Sequence, residues 1–507
     1  MACASTHHSS TAAFIADFTL PPRYTILRPV GRGSFGTLVA AKDAVTGKTV
    51  AIKRVEGGGG TMGTDRHESK KLLREMRLLQ HFQHENIMSL HDILTPQQAQ
   101  HSRGADGSSS SSSSGAGESG HSSSSATSGA SAMESESNAA AGGGSSAECT
   151  VANDGANTTA ASAAPGSWRQ TYYLVQDLMD TDLHRVIQSA AKGQQALTDN
   201  HIRCFCYQVL RGMYACHSAQ VLHRDLKPSN LLVNKDCTLR IGDFGLARGV
   251  DEAHTESNAL TEYVVTRWYR APELLCGNES YGPPIDLWSV GCILAEMLGR
   301  QPIFPGRDVL SQLKLIVTIV GVPDQQALKA IVHNEKAIDF IMQIARQAPP
   351  PQPLAERFPN APAGACDLLC RLLEFDPAKR ISAHEALRHP FLRPLHDLNT
   401  EPTAAAFDFS FESASDHQLR GLLDAECRRF LDASSAAASG SSLPDLSAES
   451  GRPSDTSRAS SIDPGAASLA SSGGASTTAS SSSRKAKSGA NLPPAASRGG
   501  VGKKRQR

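Results

Sequence analysis

Two short runs of the sequence combine carboxylate and amide groups in a pattern suited to chemistry on phosphate. The first run is His223-Arg-Asp-Leu-Lys-Pro-Ser-Asn230, and the second is Asp243-Phe-Gly245. Transfer of a phosphoryl group needs a base for the accepting hydroxyl and oxygen ligands for Mg²⁺. We therefore interpret Asp225 as the base, and Asn230 and Asp243 as metal ligands.

Two lysines could hold the phosphates. Lys227 follows Asp225 closely and can reach a γ-phosphate, which favours Ser or Thr over Tyr as the accepting residue. Lys53 ends the apolar run Val50-Ala-Ile-Lys53, and by itself it could equally be an edge-strand lysine that points to water. Glu75, in the helical stretch that follows, supplies an acid that could hold Lys53 against the α- and β-phosphates.

A glycine-rich run, Gly31-Arg-Gly-Ser-Phe-Gly36, stands before Lys53. The pattern G-x-G-x-x-G alone also marks ordinary turns and dinucleotide-binding folds. Here the next segment, Thr37–Ala41, has the pattern of a strand. We therefore predict that the run is a flap over phosphates and not a turn at a helix N-terminus.

The elements that must position these residues form a β-rich segment and a helical one. From residue 23 to 94 β-branched residues alternate with glycine-containing turns, and Tyr172–Val175 has the pattern of a further strand. One helical stretch within the first segment has apolar residues at Leu72, Leu73, Met76 and Leu79. Helical periodicity dominates residues 183 to 392. The sequence predicts an α+β fold with a small β-rich lobe carrying one main helix and a larger helical lobe.

The run Ala271-Pro-Glu273 is typical of the start of a helix. We predict that Glu273 forms a structural ion pair with Arg380, in Asp376-Pro-Ala-Lys-Arg380, and takes no part in the chemistry.

Three stretches contain little from which a core could form. Residues 1–20, 96–167 and 432–507 consist largely of Ser, Ala, Gly and Thr, and the second includes a run of seven serines, Ser108–Ser114. Such segments cannot offset the entropy lost on ordering, so we predict that all three are disordered. What is left is long enough for one two-lobed enzyme.

Apolar residues continue after the helical segment. Phe407, Phe409 and Phe411 alternate with polar residues, and a helical pattern follows at Leu419, Leu422, Leu423, Cys427 and Phe430. We predict an extension that packs back onto the core and ends near residue 431.

The composition limits the classes of function. The chain of 507 residues has 50 Lys+Arg against 50 Asp+Glu, which argues against a protein that coats nucleic acid or an acidic membrane. Its apolar runs are too short to cross a bilayer, and its start lacks a secretory-signal pattern. We expect a soluble intracellular protein with no membrane and no direct nucleic-acid partner. Most of the 11 cysteines are scattered singly, which indicates reduced thiols packed as small hydrophobes.

Taken together, the motifs resemble those of the eukaryotic protein kinases. The segment Leu260-Thr-Glu-Tyr-Val-Val-Thr-Arg-Trp-Tyr-Arg-Ala-Pro-Glu273 narrows the resemblance to the mitogen-activated protein (MAP) kinases of T-E-Y type, the extracellular-signal-regulated and plant-type branch. Residues 175–183 and 395–402 are similar to the same family. The resemblance implies the two-lobed kinase fold, the use of Mg²⁺ and ATP, and phosphoryl transfer to Ser or Thr followed by Pro.

The resemblance also implies activation through Thr261 and Tyr263, phosphorylated by an upstream dual-specificity MAP kinase kinase. Each phosphate adds about −1.5 to −2 charge at neutral pH. The arginines placed to receive these phosphates are Arg74, Arg224 and Arg248 for Thr261, and Arg267 and Arg270 for Tyr263.

The adenine would meet the backbone at Asp177 and Met179, with Gln176 as gatekeeper, although Gln176 alone could be an ordinary strand end. The nucleotide-binding residues implied by the resemblance are Gly31, Arg32, Gly33, Ser34, Phe35, Gly36, Val39, Ala51, Lys53, Gln176, Asp177 and Met179.

Docking of partners is implied at two acidic residues after the helical lobe. Asp397 and Glu401 match the site that binds basic docking motifs of substrates and phosphatases, but Thr400 stands where relatives commonly have another acid. Exposed charge pairs contribute about 0–1 kcal/mol each, so we expect docking to be modestly weakened.

The domain organisation follows from these assignments. We predict a kinase domain at 21–431, with an N-lobe at about 21–178, a C-lobe at about 179–392 and an extension at 393–431. The basic end, Lys503-Lys-Arg-Gln-Arg507, is either a solubilising tail or a nuclear-import signal. We expect the protein in the cytoplasm and the nucleus.

Two other interpretations remain. A pseudokinase scaffold would bind partners without transferring phosphate. Such proteins usually lack a residue equivalent to Lys53, Asp225 or Asp243, whereas this chain has all three. A cyclin-dependent relative is the second alternative, against which the two-phosphosite loop and the extension argue.

Overall fold

The computed structural model describes residues 15–33, 36–57, 64–96, 170–250, 267–278, 280–397 and 403–438. Several predicted features lie outside these ranges. They are the residues Ser34 and Phe35 of the glycine-rich run, the phosphorylation sites Thr261 and Tyr263, the docking residue Glu401, nearly all of the serine-rich insert, and the basic end of the chain.

The small lobe is built on a five-stranded antiparallel sheet with the order β1-β2-β3-β5-β4. Its strands are β1 (Tyr24–Gly33), β2 (Gly36–Asp43), β3 (Thr49–Gly57), β4 (Leu90–Leu94) and β5 (Gln170–Asp177). The strands predicted at 37–41 and 172–175 are therefore confirmed. Alternate side chains on β2, β3 and β5, among them Val39, Ile52 and Val175, are buried together on one face of the sheet.

The other face of the sheet is covered by helix α1 (Thr64–His81). The four apolar residues that predicted this helix, Leu72, Leu73, Met76 and Leu79, are all fully buried. Residues three and four apart share one face of a helix, so this spacing directs them into the core.

The large lobe is mainly helical, as predicted. Its helices are α2 (Leu183–Ala191), α3 (Asp199–Ser218), α4 (Pro272–Leu275), α5 (Pro284–Gly299), α6 (Val309–Val320), α7 (Gln325–Ile331), α8 (Glu335–Gln347), α9 (Leu354–Arg357), α10 (Ala365–Leu372) and α11 (Ala383–Leu387). Its short strands are β6 (Thr181–Asp182), β7 (Val221–Leu222), β8 (Leu231–Val233), β9 (Leu239–Ile241) and β10 (Arg248–Gly249). Helix α5 is buried on nearly all sides, which its almost continuous apolar sequence explains.

The predicted ion pair of the large lobe is confirmed. Arg380 donates to both carboxylate oxygens of Glu273, at 2.8 and 3.1 Å, and both side chains are buried. The pair ties the start of α4 to the segment before α11.

The extension returns to the small lobe, as its apolar pattern predicted. A short 3₁₀ turn (Ser410–Ser413) leads into helix α12 (Asp416–Ala438), which packs against α1. The helix continues beyond residue 431, so the predicted end of the ordered chain was placed too early.

The predicted N-terminal boundary is also corrected. Phe18 and Leu20 are buried in the core of the small lobe, and the Phe18 ring stacks on Tyr173 at 5.6 Å. Two apolar residues in a Ser- and Thr-rich start are too weak a pattern to predict such packing. Within the described ranges, no helix is both long and apolar enough to span a membrane.

Candidate active site

The small lobe contributes a buried ion pair between strand β3 and helix α1. Lys53 Nζ donates to Glu75 Oε1 and Oε2 at 2.6 and 2.9 Å. Burial alone would lower the pKa of Lys53, but the carboxylates of Glu75 and Asp243 raise it above its ordinary value. Lys53 is therefore a fixed ammonium group and not an edge lysine that points to water.

The large lobe contributes a carboxylate held by two neighbours. Lys227 Nζ donates to Asp225 Oδ2 at 2.7 Å, and Asn230 Nδ2 donates to the same oxygen at 3.1 Å. Asn230 Nδ2 also donates to the backbone oxygen of Asp225 at 2.9 Å. Both amide hydrogens of Asn230 are thereby directed to Asp225, which leaves the Oδ1 atom of Asn230 for a cation.

Asp243 follows strand β9 in the left-handed conformation, with φ 64° and ψ 68°. A non-glycine residue keeps the left-handed conformation only where the surrounding structure holds it firmly. Residues in such unusual conformations are concentrated at functional sites. The N–H of the preceding residue, Gly242, donates to the backbone oxygen of Asn230 at 2.9 Å. The backbone oxygen of Gly242 accepts from His223 Nε2 at 3.1 Å. These bonds fix Asp243 beside the segment that carries Asp225 and Asn230.

The backbone before Asp225 is held by the buried Asp286, which was not among the residues predicted from the sequence. Asp286, in helix α5, accepts from the backbone N–H groups of His223 and Arg224, each at 2.9 Å, and from His217 Nε2 at 3.1 Å. Burial alone would raise the pKa of Asp286, but the bond from His217 and nearby positive charge lower it below its ordinary value. One acid inside the apolar run Pro284-Ile-Asp-Leu-Trp288 was the signal that could have revealed it.

A cluster of three rings joins the two lobes next to these groups. Phe244, next to Asp243, lies 4.9 Å from the His223 ring and 5.8 Å from the ring of Phe82, just after helix α1. All three side chains are buried. These ring contacts pack the segment after Asp243 against the end of α1 and against the segment that carries Asp225.

Of the glycine-rich run, Gly31 and Gly33 lie at the end of β1 and Gly36 at the start of β2. Gly36 has φ +127°, and a Cβ there would lie 2.0 Å from the Arg54 backbone oxygen, so no other residue fits. Val39 is buried on β2, and Ala51 on β3 pairs with Gln176 on β5.

Asp177, at the end of β5, bridges the two lobes. It accepts from His91 Nε2 at 2.8 Å and from the guanidinium of Arg240 on β9. Burial alone would raise the pKa of Asp177, but the bond from His91 and the charge of Arg240 lower it. Met179 follows as a buried residue. The predicted adenine-binding segment is thus anchored to the large lobe by an ion pair.

Three of the predicted phosphate-receiving arginines lie close together. Burial lowers the pKa of Arg74 to about 10, and the positive charges of Arg248 and Arg224 contribute to this shift. Arg74 also contacts Glu412 of the extension at 2.6 Å. The three guanidinium groups donate to the backbone oxygens of three consecutive residues, 245–247. Cations grouped in this way are suited to a doubly charged anion.

The remaining predicted site residues lie further out. Arg267 donates to the Arg307 backbone oxygen at 3.3 Å, and Arg270 follows in the same short turn and lines a small cavity beside Asp225. Asp397 is exposed on the surface after the large lobe.

Comparison with known proteins identifies the architecture. The sequence profile of the protein kinase domain matches residues 24–101 and 160–392. Mitogen-activated protein kinase homolog MMK2 of Medicago sativa is 40% identical over 407 residues, which cover 80% of this chain and 88% of that protein. Mitogen-activated protein kinase 4 of Arabidopsis thaliana is also 40% identical, with 80% and 86% covered. Extracellular signal-regulated kinase 1 of Dictyostelium discoideum is 38% identical over 78% of this chain and 60% of its own length.

The chain belongs to the MAP kinase family. This confirms the resemblance seen in the T-E-Y segment and the predicted two-lobed kinase fold. As a MAP kinase, the protein is a Ser/Thr protein kinase of signalling pathways. Membership of this family implies the use of ATP and Mg²⁺ and interactions with an upstream MAP kinase kinase and with protein substrates.

The residues present fit those two groups. The Asn230 amide oxygen and the Asp243 carboxylate are hard oxygen donors of the kind that Mg²⁺ prefers. The Lys53 ammonium supplies a fixed positive charge, as a nucleotide phosphate requires.

Proposed function

We propose that this MAP kinase transfers the γ-phosphate of ATP to Ser or Thr residues followed by Pro. The observation that supports the proposal best is that Lys227 and Asn230 both donate hydrogen bonds to the Asp225 carboxylate. The Lys53–Glu75 ion pair adds a fixed ammonium group to the same candidate site. Asp225 would accept the proton of the substrate hydroxyl. Lys227, hydrogen-bonded to Asp225, would stabilise charge on the transferred group.

The other residues orient the phosphates. Lys53 would contact the α- and β-phosphates, and Glu75 keeps its side chain in place. Asn230 and Asp243 would hold Mg²⁺, which when bound neutralises phosphate charge. Asp286 fixes the backbone on either side of His223, and so the direction in which Asp225 points.

The substrate class can be tested directly. Purified protein is incubated with Mg-ATP and two peptides that differ only as Ser-Pro and Ser-Ala, before and after treatment with an active MAP kinase kinase. We expect transfer to the Ser-Pro peptide alone, and only after activation. Equal transfer to both peptides would remove the Pro preference, transfer without activation would favour the cyclin-dependent alternative, and no transfer at all would favour a scaffold.

We further propose that phosphorylation of Thr261 and Tyr263 switches the enzyme on. A hydrogen bond to a charged group contributes roughly 1.5–3 kcal/mol, and moving an equilibrium from 1:99 to 99:1 needs about 5.5 kcal/mol. Three or four bonds from the cluster of Arg74, Arg224 and Arg248 are therefore sufficient.

The switch predicts the behaviour of two variants. Thr261→Ala and Tyr263→Phe should remain folded, with unchanged thermal unfolding, but lose most of the activity gained on treatment with the upstream kinase. Steady-state kinetics of the treated proteins measures this, and full activity of the double variant would remove the switch from the proposal.

Partner binding and location are proposed from charge. Asp397, with Glu401, would bind basic docking peptides, and a peptide titration against Asp397→Asn tests this.

The basic residues 503–507 would act in nuclear import. The cellular distribution of the full chain, compared with one ending at residue 502, tests the second point.

A further inference from the structure

A proline-rich segment, residues 348–353, joins two helices of the large lobe, α8 and α9. Its sequence is Ala348-Pro-Pro-Pro-Gln-Pro353, and it contains none of the residues assigned to the active site. All of its prolines and its glutamine are exposed. Proline fixes φ near −65° and disfavours the helical region for the residue before it. The sequence of the proline-rich segment therefore favours an extended backbone.

The ends of the proline-rich segment have the dihedral angles of a polyproline II helix. Ala348 has φ −75° and ψ 144°, and Pro353 has φ −52° and ψ 134°. A polyproline II helix has φ about −75° and ψ about +145°, three residues per turn and no internal hydrogen bonds. Residues 349–352, between these ends, belong to no helix or strand. The segment thus presents a short polyproline II helix on the surface of the large lobe.

The neighbouring helices anchor the proline-rich segment at both ends. The Ala348 N–H donates to the Ile344 oxygen of α8 at 2.8 Å, and the Pro353 oxygen accepts from the Glu356 N–H of α9 at 2.9 Å. A ligand that is already in its bound conformation loses little conformational entropy when it binds. The anchored segment is therefore preorganised for a partner that recognises polyproline II.

Three residues per turn give such a helix three edges. One edge faces the protein, because Leu354 is buried and a Cβ on Gly321 would lie 3.0 Å from Pro351 Cγ. Pro350 and Pro353, three residues apart, share another edge, and both are exposed. This P-x-x-P spacing is the one that docks into the aromatic-lined grooves of SH3 domains.

Charged side chains at both ends of the proline-rich segment limit the kind of groove. Arg346, in the last turn of α8, and Arg357, at the end of α9, are both exposed. Within residues 345–358 the one acid is Glu356, whose Oε2 atom accepts from Gln352 Nε2 at 3.3 Å. Two basic groups against one acid complement a groove that has acidic residues beside its aromatic rings.

We propose that the proline-rich segment is a docking site for a partner protein with an SH3-type domain, whose groove is lined by aromatic side chains and flanked by acidic ones. Pro350 and Pro353 dock into the groove, and the flanking arginines pair with its acids. The site uses no residue of phosphoryl transfer, so the inference does not depend on the proposed function.

The test titrates the full chain, without activation, against an array of isolated SH3 domains. We expect at least one domain to bind in the micromolar range. The double variant Pro350→Ala/Pro353→Ala should weaken that binding about tenfold or more, because it removes both anchors from the exposed edge. Both side chains are exposed, so this variant should fold, and thermal unfolding checks that it does.

Pro359→Ala is the matched control. Pro359 is exposed like Pro350 and Pro353, but it follows α9 and lies outside the proline-rich segment. Its replacement should leave the affinity for the domain within about twofold of the wild-type value.

The arginines are tested by salt. Raising the ionic strength should weaken binding of the domain to the wild-type chain, because the paired charges are exposed and therefore screened. Arg346→Gln/Arg357→Gln should bind the domain more weakly at low salt and show a smaller dependence on salt.

Each outcome decides the inference. It is supported by binding that the Pro350→Ala/Pro353→Ala variant loses and Pro359→Ala keeps. It is overturned if no domain of the array binds, if the double variant binds like the wild type, or if the control loses as much affinity. Binding by WW domains in place of SH3 domains, measured in a parallel array, also overturns the assignment of the partner.

Discussion

Arg380 lies fully buried under the start of helix α4, where it binds four groups at once. Besides Glu273 it donates to the backbone oxygens of Glu374 and Pro284, at 2.9 and 2.8 Å, and to that of Phe375. Loss of the guanidinium would leave a buried carboxylate and several carbonyl groups without partners. The cost of such a loss exceeds the net contribution of the ion pair, because the remaining charge is uncompensated.

Arg380→Met should therefore lower the free energy of unfolding by about 3–5 kcal/mol. Lys379→Met is the control, since the Lys379–Asp376 pair at 3.1 Å has a largely exposed lysine and should contribute about 0–1 kcal/mol. Urea unfolding of the two variants measures the difference. Equal stability of the two would show that burial of the Arg380 pair carries no penalty.

At this scale the sequence predicted what local motifs encode and missed what depends on distant contacts. The Glu273–Arg380 pair could be predicted because each residue stands in a recognisable motif. Asp286 and Glu412 stand in no such motif. Their partners, His223 and Arg74, contact them only after segments far apart in the sequence have packed together. The spacing of residues along the chain therefore does not predict either contact.

Among the elements, the segment between α1 and β4 joins the lobes through the backbone. Asn86 O accepts from Ile241 N–H at 2.8 Å, and Met88 N–H donates to the Ile241 oxygen at 2.9 Å. His84 shapes this segment, because its Nδ1 atom accepts from the Asn86 N–H at 2.9 Å. A protonated His84 could not accept that bond.

His84 makes the stability of this segment depend on pH. Burial lowers the pKa of His84 to about 4, and the charge of Arg211 contributes while Glu85 opposes it. The unfolded chain, with a histidine pKa near 6.5, binds a proton that the folded protein excludes. Stability from neutral His84 is therefore complete above about pH 6.5 and is lost as the pH falls towards 4.

His84→Asn removes the titration and keeps an acceptor for the Asn86 N–H, since Asn side chains bond the backbone two residues on. Between pH 7.5 and 5.0 the wild-type protein should lose about 1–2 kcal/mol more stability than the variant, allowing for solvent screening. Urea unfolding at both pH values measures this. Parallel losses in the two proteins would mean that His84 does not carry the effect.

The elements themselves were largely predictable. Leu72, Leu73, Met76 and Leu79 gave the face of α1, and the alternation in β2 and β5 gave the strands. The end of α12 at Ala438 was not predictable, because Ser and Ala after residue 431 form helix as readily as coil and apolar spacing stops there.

In the whole molecule, the active site exists only where the two lobes meet. Lys53 and Glu75 come from the small lobe, and Asp225, Asn230 and Asp243 from the large one. The Phe82–Phe244 contact, the backbone bonds that join Ile241 to Asn86 and Met88, and the Asp177–Arg240 pair hold the lobes together around these groups. The sequence motifs indicated candidate site residues but not these connections, since all three join residues far apart in the chain.

The C-terminal extension, residues 403–438, packs against both lobes. Its aromatic segment reaches the large lobe as well, where a Cβ on Gly249 would lie 2.9 Å from the Phe409 ring. The same segment covers α1 through Phe407 and Phe411. One C-terminal segment thus contacts both lobes near the arginine cluster.

We propose that Asp225 acts on the substrate hydroxyl in the same site in which Asp243 holds the metal of Mg-ATP. Mg-ATP affinity and the rate of phosphoryl transfer should be measured side by side for Asp225→Asn, Asp243→Asn and the control Asp236→Asn, which lies in the exposed turn between β8 and β9. We predict that Asp225→Asn binds Mg-ATP like the wild type but transfers phosphate about 10²–10⁴-fold more slowly. Asp243→Asn should lose Mg-ATP binding and transfer together, and the control should lose neither. Wild-type transfer by Asp225→Asn, or undiminished Mg-ATP binding by Asp243→Asn, would contradict the assignment.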